Sequence, residues 1–298
     1  MGAAAKFSPL TAHEIVEKLD ELPTLPTVVY ELNKVINDPM SSTSDVERIM
    51  ANDQSMTTKV LKLANSAYYA IPGGVSSLQR AIAYIGYDTI NQLALSASIM
   101  KALDAGAAQQ FDVQAFWRHS MAVAMTSEIV ARELKYRQPS DLFTCGLVHD
   151  MGKVALLIVA KDQFIETVTH ARNNNLSLHE AEEALGAPKH TAIGLELSNK
   201  WRLPYLIQAC VAHHHQREAN LRGGLSPEVN MVVDIVYVSN LLVHALQFGN
   251  SGHNKVLGLP KDVVDRLDLQ PVRLRDLIVK VKEKLANAES FLKVIAGG

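Results

Sequence analysis

Apolar residues recur every three to four positions along almost all of this 298-residue chain, the repeat of an α-helix with one buried face. Between residues 11 and 22 they fall at Ile15, Val16 and Leu19, and the same spacing returns from 113 to 136. No stretch alternates apolar and polar residues with a period of two, as a half-buried strand would. The sequence therefore predicts an all-α fold, a bundle of many helices.

Proline and glycine divide this pattern into segments. Pro23 follows the first helix, and Gly86 separates two later ones. The small, polar stretch 104–110 is the candidate boundary between two regions. We therefore expect an N-terminal helical lobe over 1–108, and a helical core with C-terminal helices over 109–298.

Three local features can be predicted more finely. Ser44 stands three residues before Glu47, the spacing of a capping box at a helix start. The apolar segment 142–160 is expected to be helical with an interruption near Gly152. Residues 249–260 are expected to form a loop.

The charge balance and the cysteine content exclude several classes of protein for this chain. The chain has 29 Lys and Arg against 31 Asp and Glu, a net charge of −2, which argues against a nucleic-acid binder held by phosphate contacts. Its two cysteines exclude a disulfide scaffold and favour a reducing, cytoplasmic compartment. No signal peptide is evident at the N-terminus, and the longest apolar run, 154–160, is far shorter than the roughly 18 residues of a membrane span.

Several histidines lie on apolar helix faces. His119 has Phe116 three residues before it and Val123 four after it, so its side chain is expected to point into the core. Taken alone, this position favours a core histidine bonded to a backbone carbonyl over a metal ligand.

The adjacent pair His149 and Asp150 is the second candidate. An imidazole and a carboxylate side by side suit zinc or another transition metal, and a carboxylate can bridge two ions. The alternative is a capping aspartate beside a surface histidine. His190 and the triplet His213–His215 follow at helix ends, and a triplet can also be a solvated turn. Together these histidines indicate metal ligands delivered by several helices to a bundle interior.

The order of these residues resembles the HD superfamily of metal-dependent phosphohydrolases. The segment His149-Asp150-Met-Gly152-Lys153 looks like the HD motif itself. Flanking segments resemble the HDOD domain, the HD-related output domain of bacterial signalling proteins: Leu22-Pro-Thr-Leu-Pro26, Lys62-Leu-Ala-Asn-Ser66, Phe116-Trp-Arg-His119-Ser, Gly186-Ala-Pro-Lys-His190 and Trp201-Arg-Leu-Pro204. The similarity runs from about residue 15 to about 245.

This resemblance implies a set of metal ligands, namely His119, His149, Asp150, His190, His214, His215 and Asn240. One ion would be held by His119, His149 and Asp150, and a second by His190 with His214 or His215, with Asp150 bridging. The expected metal is Fe, Mn or Zn, and the alternative is a module that holds no metal. Which two members of the histidine triplet face the site is open, although aligning His214 and His215 needs no gap.

Two departures from the related HD-GYP phosphodiesterases concern carboxylates. Ala115 stands where that family has a glutamate, and Asn240 stands where the last aspartate ligand is expected. Asp234 lies six residues before Asn240, about 600° of helix rotation, and is not expected to substitute for it. Loss of carboxylates weakens the binding of divalent cations.

The resemblance supports a regulatory output module of HDOD type that binds a metal or ligand without turnover. Its expected partners are signalling proteins in trans or a small phosphate-containing ligand, with no nucleic acid and no membrane. The alternative is a metal-dependent phosphohydrolase acting on a nucleotide or another phosphate ester, with Asp150 and Lys153 as catalytic residues. Lys153 would stabilise developing negative charge, or would simply be a surface lysine.

A third hypothesis, a nucleic-acid-binding regulator, is disfavoured by the neutral charge. In the N-terminal lobe, Tyr68 and Tyr69 are expected either to pack a loop or to offer a partner surface.

Overall fold

A computed structural model describes residues 11–18, 27–36, 38, 40–51, 53–103 and 110–286. These residues form α-helices and one short 3-10 turn, with no β-strand in these ranges, which confirms the all-α prediction. The predicted boundary stretch at 104–109, the motif at 22–26 and the final residues from 287 lie outside them.

The helices follow one another with short connections. Their bounds are α1 Ala12–Lys18, α2 Thr27–Ile36, α3 Thr43–Ala51, α4 Gln54–Ala64, α5 Leu78–Ile85, α6 Tyr87–Ala102, α7 Val113–Glu133, α8 Pro139–Val148, α9 Met151–Val159, α10 Lys161–Asn173, α11 Leu178–Leu185, α12 His190–Lys200, α13 Tyr205–His213, α14 Pro227–Ala245, α15 Lys261–Arg266 and α16 Pro271–Ala286. The 3-10 turn spans Ala219–Leu221.

Helix α7 lies in the middle of the second half and packs against α8, α14 and α16. Helices α2 to α6 pack mainly on one another, and α6 joins them to α8. Helix α1, which the expected boundary assigns to the N-terminal lobe, packs instead on α9 and α12. The described chain is therefore built around α7 and α8.

Three sequence-based details need correction. Helix α3 begins at Thr43, and the side chain that caps its start is Asp45, which accepts bonds from the Ser42 amide and hydroxyl at 2.9 and 2.7 Å, so the predicted Ser44 cap is wrong. The interruption predicted near Gly152 lies earlier, at His149 and Asp150, where α8 ends and α9 begins.

The third correction concerns α10, for which no helix was predicted. Its apolar residues occupy a narrow stripe on a mostly polar helix, so the periodicity is weak. The loop predicted at 249–260 is confirmed. The break between α6 and α5 falls at Gly86, whose φ of 86° is in the region that favours glycine.

Among the described residues, two segments are apolar and long enough to cross a membrane by composition, Pro139–Val159 and Pro227–Ala245. Most of their apolar windows, 89% and 61%, is buried inside the bundle. Core helices of soluble proteins have the same character, and the first segment is interrupted between α8 and α9.

Candidate metal centre

Four parts of the fold bring histidines and one aspartate to a common point. His149 and Asp150 form the turn between α8 and α9, and His190 is the first residue of α12. His214 and His215 directly follow α13, and His119 lies on α7. We call His119, His149, Asp150, His190, His214 and His215 the histidine–aspartate cluster. Its members form two groups, each with donor atoms within 4.8 Å of one another: Asp150, His190, His214 and His215, and His119, His149 and Asp150.

Glycine allows α9 and α12 to approach closely enough for this. A Cβ atom on Gly152 would lie 1.9 Å from the carbonyl oxygen of His190. On the facing helix, a Cβ on Gly194 would lie 2.4 Å from Val211 of α13. Asp150 and His190 are therefore neighbours because no side chain separates the starts of their helices.

The first group, which we call the tetrad, has the spacing of ligands around one ion. Nε2 of His190 lies 3.3 Å from Nε2 of His214 and 3.1 Å from Nε2 of His215. Oδ1 of Asp150 lies 3.3 Å from Nε2 of His190 and 3.2 Å from Nε2 of His214. Neighbouring ligands of a tetrahedral ion are this far apart when each bond is about 2.0 Å long.

The hydrogen bonds of the imidazoles leave lone pairs facing this point. The Nδ1–H of His190 donates to Oε1 of Glu182 at 2.7 Å, and that of His214 donates to the carbonyl of Cys210 at 3.1 Å. In the neutral tautomers so fixed, both Nε2 atoms carry a lone pair. Oδ1 of Asp150 accepts no hydrogen bond among the described residues. Three lone pairs converging in a buried site favour a cation between them, so the residues fit a metal ion.

His149 is held in the same way on the other side of Asp150. Its Nδ1–H donates to the carbonyl of Gly146 at 2.7 Å, which leaves a lone pair on Nε2. That Nε2 atom lies 3.3 Å from Oδ2 of Asp150 and has no hydrogen-bond partner in the described chain. His149 and Asp150 are both fully buried, so the alternative of a capping aspartate beside a surface histidine is wrong.

Burial and neighbouring charge set the protonation of the cluster. Burial alone would raise the pKa of Asp150, but His149 and Lys153 outweigh it and hold that pKa well below its usual value. Burial lowers the pKa of His214 to about 3, so its ring is neutral. Burial is the largest effect on His190 and opposes its charged form, but Glu182 and Asp150 together outweigh it and raise the pKa of His190. The cluster thus combines one ionised carboxylate with imidazoles whose donor atoms face inward.

Lys153 lies inside the cluster and not on the surface, so the surface-lysine alternative is wrong. Its side chain is 1% exposed, and Nζ donates to Oδ2 of Asp150 at 2.7 Å. It also donates to the carbonyl of Ser251 at 3.2 Å.

His119 and Asn240 meet beside the tetrad. The Nε2–H of His119 donates to Oδ1 of Asn240 at 2.9 Å, because an amide oxygen can only accept. Asp234 instead binds Arg222 at 2.6 Å and Arg266 at 2.8 Å, as its position on α14 predicts. Of the histidine triplet, His214 and His215 join the cluster and His213 does not.

Several residues of the site were not predicted. Glu182 orients His190, and the ring of His179 stacks on His215 with centroids 4.9 Å apart. His244 lies 4.4 Å from His119, centroid to centroid, and Ser251 follows in the loop after α14. His244 could have been found, since it stands four residues after Asn240 and therefore on the same helix face. Nothing in the sequence signals Glu182 or Ser251.

Tyr68, in the segment after α4, packs inside the protein. Its hydroxyl donates to Oε2 of the buried Glu128 on α7 at 2.8 Å. Tyr69 is half-buried and meets Tyr68 edge to face, with centroids 4.9 Å apart. The packing interpretation is confirmed for Tyr68, which is not available as a partner surface.

A family model and a curated relative both match this chain. The HDOD domain family model matches residues 22–217. A protein of Treponema pallidum (strain Nichols), itself uncharacterized, is 23% identical over 206 residues, which are 68% of this chain and 39% of that protein. The chain therefore spans less than half the length of this curated relative.

Solved structures share the fold over nearly the whole chain. An HDOD domain protein of unknown function from Geobacter sulfurreducens has a TM-score of 0.72 at 24% identity, covering 96% of this chain and 95% of that one. A candidate phosphohydrolase from Shewanella amazonensis SB2B has a TM-score of 0.68 at 21% identity, covering 95% and 97%. A candidate signal transduction protein from Marinobacter aquaeolei VT8 has a TM-score of 0.74 at 18% identity, covering 94% of this chain and 61% of that one. At these identities the likeness concerns the fold, and with the family match it leads to one conclusion: the chain belongs to the HDOD domain family.

Proposed function

We propose that this protein is a cytoplasmic regulatory output module that holds a divalent metal ion in its histidine–aspartate cluster and does not turn over a substrate. Asp150, His190, His214 and His215 would hold the ion. Signalling proteins in trans, or a small phosphate-containing ligand, would be its partners. The family membership and the converging donor atoms support this proposal.

One observation carries the absence of turnover. Asp150, His190 and His214 are buried and His215 is partly exposed, so burial restricts the approach of a substrate to these donor atoms. Four protein donors also complete a tetrahedral site, and such closed sites are structural, whereas catalytic sites keep a position open. An ion here would tie the α8–α9 turn to the start of α12 and the end of α13.

The second candidate function, a metal-dependent phosphohydrolase, is favoured by the same donors. When bound, a metal ion would supply Lewis acidity toward a phosphate oxygen. The identity of the metal separates the two functions. Zinc would be saturated by the four protein donors, whereas Fe or Mn prefers higher coordination numbers and would leave positions open.

Metal analysis of the purified protein tests the proposal. We expect a divalent metal ion, lost together with several degrees of thermal stability in Asp150→Ala and His190→Ala, because metal binding contributes to folding free energy. His213→Ala is the matched control, since His213 adjoins His214 but lies outside the cluster. Metal retained at wild-type stoichiometry in Asp150→Ala would contradict the proposal.

A phosphodiesterase assay with bis(p-nitrophenyl) phosphate distinguishes module from enzyme. The protein loaded in turn with Fe, Mn and Zn is expected to show no turnover above buffer. Turnover that disappears in Asp150→Ala would establish the phosphohydrolase instead.

A further inference from the structure

We propose that the ammonium group of Lys153 holds Oδ2 of Asp150 against a second metal ion, so that this chain binds one ion where the resemblance implies two. This inference rests on the proposed metal centre. It concerns the second group of donors, His119, His149 and Asp150, which the tetrad leaves unused except for the shared aspartate.

Lys153 is bound as a resident cation would be. Its Nζ lies 2.7 Å from Oδ2 of Asp150, the oxygen that faces away from the tetrad and toward His149. The remaining N–H groups point to the carbonyl and hydroxyl of Ser251, at 3.2 and 3.4 Å. All three donors of the ammonium are therefore used. A metal ion bridging through Oδ2 would have to displace this buried charge.

The second requirement for an ion, a lone pair on Nε2 of His119, is not met in this arrangement. Its Nε2 proton is committed to the amide of Asn240. An aspartate at 240 would accept the same bond and add a negative charge, whereas the amide adds none. On this side of Asp150, Nε2 of His149 is a buried nitrogen without a hydrogen-bond partner among the described residues.

The loop after α14 holds Lys153 in place. The amide of Asn250 donates to the carbonyl of Ala115 at 2.9 Å, and Gly249, with φ of 74°, lies against the same turn of α7. A Cβ on Gly249 would come within 2.3 Å of the backbone nitrogen of His119, so the loop rests directly on the helix that carries His119. Ser251 is thereby fixed over Lys153, fully buried.

Charge balance favours one ion as well. Two divalent ions with Lys153 would carry five positive charges, and the carboxylates in contact with the cluster are those of Asp150 and Glu182. Burying so large an excess of charge is strongly unfavourable. One divalent ion with Lys153 leaves an excess of a single charge.

Manganese stoichiometry and spectroscopy test this inference. Protein freed of metal is saturated with Mn²⁺, dialysed, and measured by elemental analysis and electron paramagnetic resonance. The wild type is expected to bind one Mn²⁺ per chain with the six-line spectrum of an isolated ion. Lys153→Met combined with Asn240→Asp frees Oδ2 and restores a carboxylate, so two Mn²⁺ per chain are expected, with a spectrum broadened by coupling across Asp150. Lys189→Met is the control, because Lys189 precedes His190 but forms an exposed ion pair with Glu183, and it should stay at one ion.

The possible outcomes distinguish this inference from the proposed metal centre on which it rests. Two coupled ions in the wild type would overturn the inference and leave the metal centre standing, as would a folded double variant that still binds one. No Mn²⁺, Fe or Zn in any variant would overturn the metal centre and this inference with it. If the double variant does not fold, the numbers of Mn²⁺ ions bound by the wild type and by Asn240→Asp decide. Asn240→Asp retains Lys153 and is expected to bind one ion per chain.

Discussion

At the scale of single residues, Asp141 on α8 has an unusual environment where that helix meets α6. Burial and the nearby Asp88 raise the pKa of Asp141 to about 6, although Gln92 donates to it at 2.8 Å. Between about pH 4 and 6, the folded protein therefore keeps a proton on this carboxyl that the unfolded chain has already released. Stability is expected to fall as pH rises through this window.

Replacing this residue makes the effect measurable. Asp141→Asn keeps an oxygen for Gln92 and removes the charge, so we expect it to stabilise the protein by about 1–2 kcal/mol at pH 7.5 and to have little effect at pH 4. Urea unfolding at both pH values measures this. Asp88→Asn should shift this pH window downward, because Asp88 helps to raise the pKa of Asp141. If the free energies of unfolding of wild type and Asp141→Asn changed with pH in parallel, the assignment would be contradicted.

At the scale of elements, the contact of α9 with α12 is what assembles the tetrad. Helix α11 supports it, because a capping box between Ser177 and Glu180 starts this helix and Glu182 on it holds His190. A side chain at Gly152 would meet the backbone of His190, which cannot yield as a flexible side chain can.

Gly152→Ala is therefore expected to force α9 and α12 apart. We predict a loss of about 2–3 kcal/mol in the free energy of unfolding, measured in urea, and weaker binding of metal. Gly258→Ala is the control, since a Cβ there meets nothing within 4 Å. Equal stability of the two variants would contradict the close packing.

At the scale of the whole molecule, buried polar contacts join α6 and the segment after α4 to α7 and α8. The hydroxyl of Tyr68 reaches Glu128 on α7, and Ser96 on α6 meets Thr144 on α8 at 3.2 Å. Tyr68→Phe leaves one oxygen of a buried carboxylate without this donor, and should lower the free energy of unfolding by about 1–2 kcal/mol. Calorimetry is expected to show a lower melting temperature with unchanged metal content. Tyr84→Phe, at an exposed tyrosine, should leave both unchanged, and a Tyr68→Phe variant as stable as wild type would rule out this role.

Helical periodicity and a family resemblance were sufficient to predict the all-α fold and to select histidines that the structure brings together. His119 could be oriented from Phe116 and Val123 because a helix repeats regularly. The interactions that were missed join residues across loops and between helix ends. Glu182 reaches His190 around a helix start, and Ser251 reaches Lys153 from a loop. No local repeat encodes such contacts, so only the three-dimensional fold reveals them.

Helix α14 packs along α7 and supplies Asn240 and His244, yet it lies beyond residue 217, where the match to the family ends. A chain shortened to that match would keep every tetrad residue but would expose one apolar side of α7 to water. His119 would lose Asn240, whose amide oxygen accepts its proton, and Lys153 would lose Ser251, which covers it. The recognisable sequence signature is thus smaller than the unit that must fold, and transplanting the signature alone into another protein should yield an aggregating fragment.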